Sequence, residues 1–168
     1  MTPRSVILLL ATAAGVGAGC ARRSYRLAEV DRDGQLRITT SGGQTLAPSK
    51  DSGQVAFDQV ALSPDGGSVG WLAVYPNCCT QYPLALKLVV RTGDTTRTFT
   101  GEGLPIWRWS FTADGRRVAL RQAPVHGGAP SHFELREIST GRLVGSFEGD
   151  LTNWRDAPAW VRTLQAPP

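Results

Sequence analysis

Short segments of alternating apolar and polar residues recur along the chain, and glycine-containing turns separate them. Period-two alternation is typical of strands with one buried face. The turn at residues 31–34 ends in an Asp-Gly pair, which tolerates the positive φ of tight hairpins. The pattern therefore predicts an all-β fold. The predicted strands are 25–30, 36–40, 44–47, 55–62, 68–75, 84–90, 96–100, 106–111, 117–121, 132–138 and 142–147.

One turn sequence is repeated. Ser63-Pro64-Asp65-Gly66 has a counterpart in Thr112-Ala113-Asp114-Gly115, 49 residues later (112 − 63), and an apolar strand follows each. The repeat predicts two antiparallel meanders of four strands. An N-terminal unit lacks its first strand. Residues 157–161 resemble 104–108, where a unit begins, so we expect a terminal strand to complete the N-terminal sheet and give about three four-stranded sheets. The alternative is a β-sandwich.

Large aromatic residues cluster on one predicted strand. Alternation places Trp107, Trp109 and Phe111 on one face, and the corresponding face of the preceding unit carries Asp58, Val60 and Leu62. Large apolar side chains on one strand face indicate packing between sheets. A binding groove lined by the two tryptophans is the alternative interpretation.

The repeated unit resembles a propeller blade. A Ser-Pro-Asp-Gly type turn, an apolar strand and then a strand that ends at Thr-Gly are similar to the blades of TolB-like and WD-type β-propellers, over residues 25–160. This resemblance implies four-stranded sheets arranged around an axis. Complete rings use about four or more blades, and the Trp-Asp pair of the WD type is missing here. The resemblance thus implies an incomplete or small propeller, or a homodimer that completes a ring.

The first twenty residues resemble a bacterial lipoprotein signal. Arg4 precedes an apolar run at 6–14, and small residues lead to Cys20. Gly17 stands where such signals usually have an aliphatic residue. The resemblance implies that Cys20 is lipidated and that the protein is a periplasm-facing membrane lipoprotein. Cleavage near Ala21 would instead give a soluble secreted or periplasmic protein.

The signal-like segment and the repeated units divide the chain into a signal peptide at 1–20, one blade-repeat domain at 24–164 and a tail at 165–168. The net charge is +4, and the arginines are spread along strands and turns. Nucleic-acid binding needs a basic patch or stripe, so we expect no nucleic-acid partner. We expect contact with the membrane through the lipid anchor only.

The segment at 75–83, Tyr-Pro-Asn-Cys-Cys-Thr-Gln-Tyr-Pro, is predicted to be a loop between two strands. Its adjacent thiols, Cys78 and Cys79, are disulfide or redox candidates, because exported proteins meet oxidising conditions. They could also stay free, pair with another chain or bind a soft metal.

The corresponding loop of the next unit contains His126 and leads to His132. If the two loops lie side by side, Cys78, Cys79, His126 and His132 form a candidate site for Zn²⁺ or copper. Adjacent cysteines diverge, however, and zinc sites usually separate them. The alternative is that both histidines bond the backbone at turns and strand edges. Asn77, Tyr82 and His126 are the candidates for a binding surface.

No Gly-x-Ser-x-Gly elbow, His-Glu-x-x-His motif or phosphate-binding loop is present, which favours a protein that is not an enzyme. The sequence predicts a binding or scaffold module of the cell envelope with no required cofactor. Its partner would be an envelope protein or a small ligand. The alternative is a redox-responsive or metal-handling protein that uses the Cys78-Cys79 loop.

Overall fold

Antiparallel strands account for nearly all regular structure in the part of the chain that the computed structural model describes, residues 23–101, 103–127, 129–149 and 156–164. The predicted signal peptide with Cys20 and the predicted tail at 165–168 lie outside these ranges. The elements are β1 (Tyr25–Val30), β2 (Leu36–Thr40), β3 (Thr45–Leu46), β4 (Ala56–Leu62), β5 (Ser68–Tyr75), β6 (Leu84–Thr92), β7 (Thr95–Thr100), β8 (Ile106–Phe111), β9 (Arg117–Gln122), β10 (Ser131–Glu137), β11 (Leu143–Gly149) and α1 (Ala159–Arg162).

The strands form three sheets, each a simple meander. The first sheet has the order β1-β2-β3, the second β4-β5-β6-β7 and the third β8-β9-β10-β11. All of their neighbouring strands are antiparallel, and none of the sheets closes into a barrel. The predicted all-β fold of antiparallel meanders is confirmed, and the described residues stay in three sheets rather than merging into a two-sheet sandwich.

The sheets stack face to face, with the second sheet in the middle. Strand β5 is buried over seven of its eight residues. Trp71 on one of its faces joins the core that includes Tyr25 and Ile38 of the first sheet. Leu72 on the other face joins the core that includes Val118 of the third sheet. A strand covered on both faces loses the polar alternation of a half-exposed strand, which explains the continuous apolar run of this segment.

The prediction of a terminal strand at 157–161 is wrong, because this segment forms α1 and packs on the third sheet. Pro158 precedes the helix and its carbonyl accepts the Val161 N–H at 2.9 Å. Proline lacks the N–H that a sheet ladder needs. Ala157, Val161 and Leu164 follow helical spacing and pack with residues that include Phe133. The first sheet therefore keeps three strands.

Trp109 joins the second and third sheets. Its side chain is buried, and its ring lies edge-on to Phe111 with centroids 5.0 Å apart. Its indole N–H donates to the Gln59 carbonyl at 2.9 Å. The ring lies directly against Gly70 of β5, where no Cβ is present. The prediction that Trp109 and Phe111 serve packing between sheets is confirmed.

Irregularities in β4 and β8 meet at this junction. Gln59 has a φ of 45° at a register shift in β4, and its amide Nε2 donates to the Trp107 carbonyl at 3.0 Å. A second register shift between Ile106 and Arg108 takes Trp107 out of strict alternation. Its half-buried indole donates to the Ala123 carbonyl at 2.8 Å. The left-handed backbone of Gln59 is thus held by bonds to the neighbouring sheet.

Candidate functional site

The loop at 76–83 connects β5 to β6 and carries the two adjacent cysteines. Cys78 and Cys79 are free, exposed thiols whose sulfurs lie 2.9 Å apart. A disulfide bond would measure about 2.05 Å. The two sulfurs therefore face each other as a hydrogen-bonded pair in which either thiol can be the donor. The structure brings together these two predicted site residues.

Polar contacts within the loop hold the thiols in place. The Asn77 amide donates to the Thr80 hydroxyl at 3.0 Å, and its oxygen accepts the Cys79 N–H at 3.4 Å. The Thr80 hydroxyl donates to the Tyr82 carbonyl at 2.5 Å. The hydrogen bond with Cys78 raises the pKa of the Cys79 thiol. The loop thus presents both thiols to solvent together with Tyr82, whose side chain is exposed.

The structure places His132 in a different environment from the one expected for a metal ligand. Its Nδ1 bonds to Glu148 of β11, and its Nε2 lies 3.3 Å from Glu134 Oε1. Arg136 donates to both carboxylate oxygens of Glu134, at 2.6 and 3.0 Å. Glu134 is only 1% exposed. These four side chains form an ionic cluster on one face of β10 and β11, with Glu134 buried and Glu148 exposed at its edge.

Opposing effects set the pKa values in this ionic cluster. Burial disfavours the charged form of His132, but hydrogen bonds with Glu148 and Glu134 outweigh it, and the pKa is raised. Burial likewise disfavours ionised Glu134, but its bonds with Arg136 outweigh that effect and the pKa is lowered. Both partners are therefore favoured in their charged forms.

Sequence reasoning missed this ionic cluster, although part of the signal was available. His132, Glu134 and Arg136 occupy alternate positions of β10, so they share one face. Glu148 lies opposite His132 on β11. The alternation is visible in the sequence, but the position of Glu148 depends on the register of the strands.

The predicted metal ligands do not converge. His126 lies in the exposed turn after β9, while His132 bonds the two carboxylates of the ionic cluster. Within the ranges that the structure describes, no group of three or more His, Cys, Asp or Glu side chains is arranged to hold a metal ion. The Zn²⁺ or copper hypothesis therefore gains no support from geometry.

A cleft of about 590 Å³ opens between the second and third sheets, at the end opposite the 76–83 loop. Asp65 and Asp114 of the repeated turns line it, together with Arg97, Arg116 and Glu137. The sequence marks the two turns as equivalent positions of a repeat, and the cleft arises because the stacked sheets bring these turns together.

Both turn aspartates are occupied by structural bonds. The Ser63 hydroxyl donates to Asp65 Oδ1 at 2.6 Å, and the Gly67 N–H donates to the same oxygen at 3.0 Å. The Thr112 hydroxyl donates to Asp114 Oδ1 at 2.6 Å. Each aspartate thus stabilises the turn in which it lies.

These features define a class, an all-β repeat protein of stacked meanders with an exposed dithiol loop. Neither the protein-family models nor the curated proteins gave a match to the chain. In the described part of the chain, no helix is long and apolar enough to cross a membrane.

Proposed function

We propose that the chain is an exported, lipid-anchored β-repeat protein that acts as a binding or scaffold module of the cell envelope. The observation that carries this proposal is a loop with internal hydrogen bonds at one end of the stacked sheets. Tyr82 is 48% exposed in that loop. Exposed tyrosines are favourable contact residues, because they offer a large amphipathic ring with few rotatable bonds.

The central sheet positions the 76–83 loop. Strand β5 leads into the loop from the buried centre of the molecule, and β6 pairs with β5 along its whole length. The equivalent turn of the third sheet, which carries His126, leaves its meander at the same end. We propose that Asn77, Tyr82 and His126 form the binding surface.

The entry of the chain supports an orientation for this surface. The Tyr25 N–H donates to the Gly66 carbonyl at 2.8 Å, so the N-terminal strand enters at the end with the Ser-Pro-Asp-Gly turn. Strand β5 separates that end from the 76–83 loop by roughly 26 Å. A lipid on Cys20 would hold the turn end near the membrane and direct the loop toward the partner.

The test is capture of partners by the full chain from envelope extract, compared between two variants. Tyr82→Ala removes the exposed ring of the loop. Leu143→Ala is the matched control, since Leu143 is 44% exposed and lies at the opposite end of the stack. We expect Tyr82→Ala to lose captured proteins that Leu143→Ala retains. Equal capture by both variants would contradict the proposed surface, and membrane retention of Cys20→Ser would contradict the anchor.

We also propose, from the resemblance to propeller blades, that two chains can pair to complete a ring. The first sheet has three strands where the others have four, and incomplete sheets offer strand edges for pairing. Sedimentation of the mature domain tests this pairing. A single monomeric species at high protein concentration would remove it.

The second candidate function is a redox-responsive or metal-handling protein, and the 2.9 Å separation of the Cys78 and Cys79 sulfurs favours it. Thiol titration with mass spectrometry, before and after reduction, measures whether the pair interconverts with a disulfide. A pair that stays oxidised under every reducing condition that preserves the fold would contradict this function. A metal assay of the native protein tests the metal-handling form.

A further inference from the structure

The donor set of the 76–83 loop limits what it can bind. It offers two adjacent thiols, and the described residues supply no third His, Cys, Asp or Glu to complete a metal-binding group. Structural zinc sites need four protein ligands. A site with two sulfurs instead suits a soft trivalent atom, which forms two bonds to the protein and keeps a third bond to a substituent of the ligand.

The arrangement of the two sulfurs also limits which soft atom they can bind. Cys78 and Cys79 direct their sulfurs to one point, 2.9 Å apart. A linearly coordinated soft cation requires its two sulfurs on opposite sides. A pyramidal atom, by contrast, accepts two sulfurs on the same side and closes a ring with the short backbone segment between them. Trivalent arsenic has this geometry and is strongly thiophilic.

We propose that Cys78 and Cys79 form a capture site for trivalent arsenicals, an inference that rests on the second candidate function above. The reaction is a condensation. Each sulfur of the pair forms a bond to arsenic, and the oxygen of a monosubstituted arsenical, R–As=O, leaves as water with the two thiol protons. With arsenite, two hydroxyl groups leave as two molecules of water. Arsenic stays trivalent, so the reaction needs no oxidant or reductant.

The state of the loop suits this chemistry. Both thiols are exposed, so an arsenical reaches them without a change in the fold. The raised pKa of Cys79 keeps its thiol protonated, which slows oxidation through the thiolate and leaves the proton that departs with water. The bonds from Asn77 and Thr80 hold the loop at its base and leave the sulfurs uncovered.

The experiment titrates the reduced full chain with phenylarsine oxide and follows free thiols, intact mass and the modified peptide. We expect one arsenical on the peptide that contains Cys78 and Cys79, with loss of two thiols. The adduct should survive a monothiol such as 2-mercaptoethanol and be removed by the dithiol 2,3-dimercaptopropanol. Peptide mapping separates this adduct from any reaction at Cys20.

Variants distinguish chelation from simple thiol reactivity. Cys78→Ser and Cys79→Ser each leave one thiol in the loop, and their affinity should fall on the order of 100-fold because the second bond is no longer intramolecular. The matched control is Cys79→Ser with Ala113→Cys. It keeps the number of thiols but puts the second in an exposed turn at the opposite end of the stack. We expect this control to bind as weakly as the single variants.

Two outcomes would overturn the proposal. One is a wild-type adduct that a monothiol removes as readily as it does from Cys79→Ser. The other is equal affinity in the control with separated thiols. Thiol titration without arsenic tests the redox function separately. If Cys78 and Cys79 form a disulfide reversibly but do not chelate the arsenical, the redox function stands and only the arsenical site is contradicted. Partner capture by the Tyr82 surface is measured independently of both.

Discussion

Substitution of Gly70 tests the packing between the second and third sheets. In Gly70→Ala the added methyl group would lie 2.4 Å from Trp109 Cη2, whereas carbon atoms pack at about 3.5–4.0 Å. The ring cannot easily withdraw, because its N–H is bonded to Gln59 and its edge rests on Phe111. Overpacking of this kind costs about 1–3 kcal/mol. The lower entropy of alanine in the unfolded chain offsets roughly 0.4–1 kcal/mol, so we expect a net loss of about 1–2 kcal/mol.

Urea unfolding followed by circular dichroism measures this loss. Gly42→Ala is the control, since its added methyl group meets only Thr40 Oγ1 at 3.9 Å. In a Trp109→Phe background the outer atoms of the indole are gone, and Gly70→Ala should cost much less. An equal cost of Gly70→Ala in both backgrounds would refute the reasoning, as would a stability like that of Gly42→Ala.

Two further predictions concern the third sheet. Leu164→Ala should lower the free energy of unfolding by about 2–5 kcal/mol, because Leu164 is 1% exposed in the core under α1. The control is Arg162→Ala, at an exposed position, which should change the free energy of unfolding by less than about 0.5 kcal/mol. Similar values for the two variants would show that α1 does not pack as described. Because the pKa of His132 is raised in the folded state, its stabilising effect is complete below about pH 6.5 and is lost as the pH rises through the folded pKa. Unfolding measured between pH 5 and pH 9, roughly, should therefore show a loss of stability on the alkaline side that His132→Gln flattens, and an unchanged pH profile in that variant would contradict the role of the ionic cluster.

The sequence predicted the strands well where alternation and turn chemistry agreed. The predicted strand at 68–75 matches β5 at both ends, and the repeated turns lie between the strands expected. The prediction of a strand at 157–161 was wrong because a short apolar run does not distinguish a strand from a helix. Its likeness to 104–108 favoured a strand, whereas Pro158 and the spacing of Val161 and Leu164 favoured the helix that forms.

The sequence likewise predicted only part of the candidate site. Cys78 and Cys79 were predicted to share a loop, since two strand patterns flank them closely. The ionic cluster was not predicted, because Glu148 comes from a different strand and its place opposite His132 depends on register. The cleft depends on contacts between whole sheets, and nothing in either turn alone encodes those contacts.

The helix α1 also covers the outer face of the third sheet, where a further sheet could pack. Ala119 holds in the third sheet the position that Gly70 holds in the second (119 − 70 = 49), and it packs in the core that α1 covers. A fourth sheet built like the third would place its own tryptophan there and would need a glycine to receive it. In the described chain α1 occupies that face instead, as the cap of a repeat protein does. A ring formed by two chains would therefore require α1 to leave the third sheet, so that the partner's first sheet could pack on that face.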